Sequence, residues 1–209
     1  MEVTTNYLNK NSHLSEKGKL RIASILDEAK GIFALQGYDQ FSLRNIAKQA
    51  NVSLAAIQHY FPSKEALLLT LIDQEILTYD HQWQNLLAKV QLDAKEKEMP
   101  LILFIDELLK LHSVPKASGF ILQFWALAHQ NEKVKQKKNQ FYLSFLQKIE
   151  QTLEQTSLSL TKSERMTRSL LIASIVEGSL IFITGKDVIS AEVITLKQAV
   201  RSQILHLLK

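Results

Sequence analysis

The 209-residue sequence contains no cysteine. That removes disulfides, thiolate metal sites and a cysteine nucleophile together. Proline occurs three times and glycine six times. An all-β chain of this length would draw on many more of both for its turns. The expected fold class is therefore all-α, built from a few long helices. The longest apolar stretch, residues 170–183, falls short of the roughly 18–20 residues that cross a bilayer. It is also interrupted by Ser174, Glu177 and Ser179. The start, MEVTTNYLNKNSHLSEKGK, lacks the apolar core of a signal peptide. No membrane partner and a cytoplasmic location are expected. There is no HExxH, no glycine-rich phosphate loop and no GxSxG, and the six histidines (13, 59, 81, 112, 129 and 206) are scattered. No catalytic residue, metal ligand or cofactor is expected. A helical enzyme has no motif behind it, and a helical protein-interaction adaptor is the other alternative.

Hydrophobic spacing supplies what is there. Residues 1–15 are polar and read as an arm. Ile22, Ile25, Leu26, Ala29 and Phe33 then share one helical face, and Gly37 is the expected stop. Ser42 reads as the N-cap of a short helix over 43–49. The turn 50–52 follows, with Asn51 suited to a positive φ. Ser53 caps a second short helix to Tyr60, and Pro62 closes it. A helix from residue 63 to about 92 comes next, then a charged connection, DAKEKEM. Further helices are expected over 101–111, 116–129, 131–155, 163–184 and 190–208, about nine in all. The chain is expected to break at HSVP, at the polar joint 156–161 and at Gly185-Lys186-Asp187.

Two short helices joined by a three-residue turn are the spacing of a helix-turn-helix, whose second helix enters the DNA major groove. Charge points the same way. From Gln40 to Lys64 there are three bases (Arg44, Lys48 and Lys64) and no acid. The first 64 residues hold eight Lys or Arg against five Asp or Glu; the other 145 hold seventeen against sixteen. Most of the net +4 thus lies where phosphates would be met. Leu43, Ile46, Ala47, Val52, Ile57 and Phe61 read as core. Ser53, Leu54, Ala55, Gln58 and His59 form the exposed side of the second helix. The Gln58 carboxamide can pair bidentately with adenine, and Leu54 and Ala55 can touch thymine methyls.

The run GYDQFSLRNIAKQANVSLAAIQHYFPSKEALL closely resembles the DNA-binding domain of TetR-type transcriptional regulators. The similarity covers about residues 21–71; beyond them only helix number and length match. It implies a helix-turn-helix domain over 16–62 and a larger effector-binding and dimerisation domain over 63–209. It implies phosphate contacts by Ser42 and its helix start, by Arg44, and by Lys64 on the following helix. His59 and Tyr60 are further phosphate candidates. Gln58 stands where the family more often has Tyr. One such domain reads only a few base pairs. A two-fold homodimer on a palindromic double-stranded operator is expected for that reason.

Residues 163–184 carry apolar side chains around almost the whole circumference, so that helix must be buried. In the family the last two long helices pair with their copies. The resemblance therefore assigns Leu170, Ile175, Gly178, Ile181, Phe182, Val193, Leu196, Val200 and Ile204 to the dimer interface. The middle helices hold most of the aromatics. Aromatics at helical spacing are core by default, but a regulator of this type implies an effector pocket. Trp83, Phe104, His112, Gln123, Phe124, Trp125, His129 and Phe145 are its candidates, for a lipophilic or aromatic ligand. The expected function is a repressor released from its operator by that effector.

Overall fold

In the computed structural model, residues 15–90, 99–155, 159–184 and 190–208 are described. The arm 1–14, most of the charged connection (91–98), residues 156–158 and the 185–189 break lie outside them. Nine α-helices and no strand occur among the described residues: α1 (Glu16–Gln36), α2 (Leu43–Gln49), α3 (Leu54–Tyr60), α4 (Lys64–Val90), α5 (Met99–Leu111), α6 (Pro115–Gln130), α7 (Glu132–Gln155), α8 (Lys162–Ile183) and α9 (Ala191–Leu207).

Local chemistry sets the helix ends. Ser15, Ser42, Ser53 and Ser63 each accept an amide hydrogen bond from the third residue of the helix they precede, satisfying one orphan donor each. Thr161 and Glu164 form a reciprocal capping box at α8. Gly37 ends α1 with φ 83°, a region open to glycine at no steric cost. Pro115 opens α6 instead of belonging to the break before it; a first-turn proline forfeits no hydrogen bond.

The chain forms two compact units. One holds residues 1–81 and 119–138, the other 82–118 and 139–209. Compactness therefore groups the chain differently from a division at 62/63. In the first unit α2 packs on α1 and on α3. Its core joins Ile22, Ile25, Phe33, Ile46, Ile57 and Phe61 to Leu68 and Ile72 of α4 and to Phe120, Leu127 and Val134 of α6 and α7. Phe33 meets Phe41 and Phe120 edge-on, with centroids 5.8 and 5.3 Å apart. The ion pairs Lys30–Glu75 at 2.6 Å, Lys133–Glu65 at 2.7 Å and Lys137–Asp73 at 2.6 Å all lie within it.

In the second unit α9 packs on α8 and α5, and α5 on α8. Ion pairs tie the helices at their edges. Arg201 of α9 meets Asp106 of α5 at 3.2 Å. Arg165 of α8 reaches Glu154 of α7 at 3.0 Å. Arg168 donates to the Leu207 carbonyl at 2.7 Å, closing one of the free carbonyls at the end of α9.

Candidate nucleic-acid interface

Helices α2 and α3 are joined by a turn whose hydrogen bonds explain its three-residue length. The Asn51 amide bonds to the Lys48 carbonyl, and the Val52 amide to the Ala47 carbonyl. This double closure is a Schellman motif, and its αL position is Asn51, with φ 52°. Ser53 then caps α3, its hydroxyl 3.1 Å from the Ala56 amide. The turn and cap set the angle at which α3 leaves α2, while Ile57 is fully buried and holds α3 to the core.

With Ile57 inward, α3 exposes Ala55, Gln58 and His59 together. Leu54 is half-buried. Tyr60 is half-buried too and packs against the core, with its ring 4.9 Å from that of His59. On α2, Arg44 and Lys48 are exposed, and the half-buried Ser42 hydroxyl accepts from the Asn45 amide at 3.2 Å. Both serine hydroxyls are thus acceptors already engaged in capping. Each retains its own O–H for an outside acceptor.

Lys64 is held more firmly than a solvated lysine. Its ammonium donates to the Tyr38 carbonyl at 2.9 Å and lies 3.7 Å from the centre of the Tyr38 ring. Burial pulls its pKa down, against an opposing pull from Asp39. Tyr38 in turn stacks on the buried Phe41 at 6.3 Å. This anchoring leaves a positive charge at a set place at the start of α4, with two N–H bonds unspent on Tyr38. Sequence reasoning missed the role of Tyr38, because the partner lies 26 residues away.

The expected effector residues fall into two groups. Trp83, Phe104 and Phe145 pack ring to ring in the second unit, with centroids 5.5 and 6.2 Å apart. His112 is buried in that unit. The Ser179 hydroxyl gives its one hydrogen to the Val176 carbonyl at 2.6 Å. The 3.4 Å contact between Ser179 and His112 Nδ1 then needs Nδ1–H as donor. Burial, with Lys197 nearby, pulls the pKa of His112 down to about 4, so the ring is neutral. Gln123, Phe124, Trp125 and His129 belong to the first unit instead. Phe124 is buried and stacks on Phe120 at 6.1 Å, Trp125 packs on the same core, and His129 is exposed.

The expected dimer residues also divide. Ile181 and Phe182 are 69% and 65% exposed, and Leu170 and Leu171 are 49% and 48% exposed. Ile175, Gly178 and Leu196 are half-buried. Val193, Val200 and Ile204 face their own chain's core and are buried. They cannot form the surface of an interface, because α9 spends that stripe on packing within the chain. The α8 helix, expected to be covered by pairing with a copy, is buried on one side only within the single chain. Ile172, Val176 and Leu180 are buried, while the opposite side is an open apolar strip. By length and mean hydropathy alone α8 could cross a bilayer, but its Ile172, Val176 and Leu180 face is spent on packing within the chain. Glu177 borders the strip. Burial raises its pKa to about 7, a hydrogen bond from Tyr142 acts in the opposite direction, and Oε2 has no hydrogen-bond partner.

Residues 25–71 match the family model described as bacterial regulatory proteins, tetR family. The chain is 43% identical over 60 residues to the uncharacterized HTH-type transcriptional regulator YuxN of Bacillus subtilis (strain 168), covering 29% of this chain and 19% of that one. It is 36% identical over 76 residues to the HTH-type transcriptional regulator EthR of Mycolicibacterium smegmatis, covering 36% of this chain and 35% of that one. These matches span about a fifth and a third of the two relatives. The structural likeness is broader. A TetR-family transcriptional regulator from Streptomyces coelicolor superposes with a TM-score of 0.74 at 14% identity, covering 100% of this chain and 95% of that one. The matched segment coincides with the helix-turn-helix and its anchoring core, so residues 25–71 carry the DNA-binding segment of the tetR family of bacterial regulatory proteins, and over its whole length the chain shares the fold of that solved regulator.

Proposed function

We propose that this chain is a ligand-responsive transcriptional repressor that binds double-stranded DNA as a homodimer. The observation that carries the reading is the α2–α3 corner. It has no acid, exposes Arg44 and Lys48 on α2 and Gln58 and His59 on α3, and is set by a Schellman turn at Asn51. Arg44, Lys64 and the Ser42 hydroxyl at the start of α2 meet phosphates; Gln58, with Leu54 and Ala55 beside it, meets base edges. Ser53 orients α3, and His59 and Tyr60 flank it toward the backbone. The operator is palindromic, with half-sites about 34–36 Å apart, one helical turn. The protein acts in the cytoplasm.

Residues 16–62 read the DNA, and residues 63–209 bind the effector and the second copy. The dimer forms through the open strip of α8. A lipophilic or aromatic effector binds among the aromatic side chains of the helical body. It shifts α4, a helix of about 40 Å that begins at Lys64 and has residues in both compact units. The ligand acts only through its difference in affinity for the two states, and a coupling of about 1–3 kcal/mol is typical.

The test is a gel-shift titration against the DNA flanking the protein's own gene. Arg44→Ala should weaken binding to every sequence and lower the slope of log K against log salt by about 1. Gln58→Ala should cost about 1–3 kcal/mol on the operator and little on unrelated DNA. Absence of any binding at low salt would overturn the reading.

A further inference from the structure

The first unit also has a concave feature whose walls include none of the residues assigned to DNA contact. It is a cleft of about 290 Å³ between the 36–39 connection and α6, near the lower end of the size of small-molecule sites. Gln36, Tyr38, Asp39, Gln123, Leu127 and Gln130 are among its walls. Its form follows from Gly37. A Cβ there would stand 3.6 Å from the Gln123 carboxamide, so the bare glycine leaves that amide open along one side of the connection.

The charge of the lining is one-sided, while its carboxamides can both donate and accept. Three carboxamides and the Tyr38 hydroxyl can accept hydrogen bonds. Asp39 carries the one formal charge, and none of the lining residues is Lys, Arg or His. Such a set favours a ligand that is positive and rich in N–H. We propose that this cleft binds a small amine or guanidine, and that its occupancy strengthens DNA binding. The sign follows from charge. Asp39 acts on Lys64 through space, and Tyr38 both lines the cleft and holds Lys64. A cation beside Asp39 offsets that negative charge within the DNA-binding unit, so the field met by phosphates becomes more positive. The ligand half stands without the DNA-binding reading; the regulatory half rests on it.

Putrescine and agmatine are the probes, titrated calorimetrically into the full-length protein without DNA, because polyanionic DNA binds cations itself. Saturable binding is expected, weakened at least about tenfold by Asp39→Asn and by Gln123→Ala, and undetectable for 1,4-butanediol, the neutral diol of putrescine's length. Thermal unfolding of both variants checks that they fold; Asp39 is exposed. No binding at millimolar probe, or binding that survives Asp39→Asn, overturns the site. Operator affinity is then measured with and without the saturating probe at constant ionic strength. At least a threefold tightening is expected for the wild type and none for Asp39→Asn. Binding that depends on Asp39 but leaves operator affinity unchanged overturns the regulatory half. If the protein binds no DNA at all, the calorimetric arm still decides the site.

Discussion

His112, buried, and Glu177, half-buried beside the open strip, belong to the same unit and respond to pH in opposite senses. Burial depresses His112 from 6.5 to about 4. Its contribution to stability is present above pH 6.5 and is lost as pH falls through about 4. Burial raises Glu177 from 4.5 to about 7. Its contribution is present below pH 4.5 and is lost as pH rises through about 7. Each spans about 3 kcal/mol, and the windows nearly coincide, so between pH 7 and 4.5 the two offset each other. Single variants should expose them. In denaturant titrations at a series of pH values, Glu177→Gln should lose stability on acidification from 7 to 4.5. His112→Gln should gain it over the same range. Curves parallel to the wild type would refute the pairing. Neither behaviour was legible in the sequence, where His112 was one of several polar residues near aromatics. Its burial and its bond to Ser179 come from a residue 67 positions away.

Helices and their ends were legible because their causes are local: a cap, a proline, a residue tolerant of positive φ. The contacts between helices were not. Gly119, inside α6, has no local signal of importance, yet a Cβ there would lie 2.5 Å from the Ala34 carbonyl oxygen of α1. That distance is inside van der Waals contact, and backbone cannot rotate away. Gly119→Ala should cost about 1–3 kcal/mol by overpacking, against a helix-propensity gain of about 1 kcal/mol. Gly178→Ala is the matched control, because a Cβ there meets nothing within 4 Å. Measured in a Phe182→Glu background, which removes association, it should gain up to about 1 kcal/mol. Equal effects of the two substitutions in chemical denaturation would show that the α1–α6 approach is looser than described.

At the scale of the whole molecule, an open strip bearing Leu170, Leu171, Ile181 and Phe182 costs free energy for as long as it faces water, at about 25 cal/mol per Å² of apolar surface. A second copy can cover it isologously, each strip meeting its equivalent. Sedimentation equilibrium should therefore find a dimer for the wild type and a monomer for Phe182→Glu or Ile181→Glu. Val200→Ala should lower the unfolding temperature and leave association intact, since Val200 packs inside its own chain. A dimer that survives both charged substitutions would move the interface elsewhere.

The sequence by itself determined the helices, their caps, the positive φ at Asn51 and the acid-free corner of α2 and α3. These depend on neighbours within a few residues, where propensity and spacing act. Only the tertiary structure decided which face of α8 stays open, that Val193, Val200 and Ile204 turn inward, and that Tyr38 grips Lys64. It also decided that residues 119–138 complete the unit carrying α2 and α3. Those outcomes depend on which distant residues compete for the same buried space, and hydrophobic periodicity marks a face without naming what covers it.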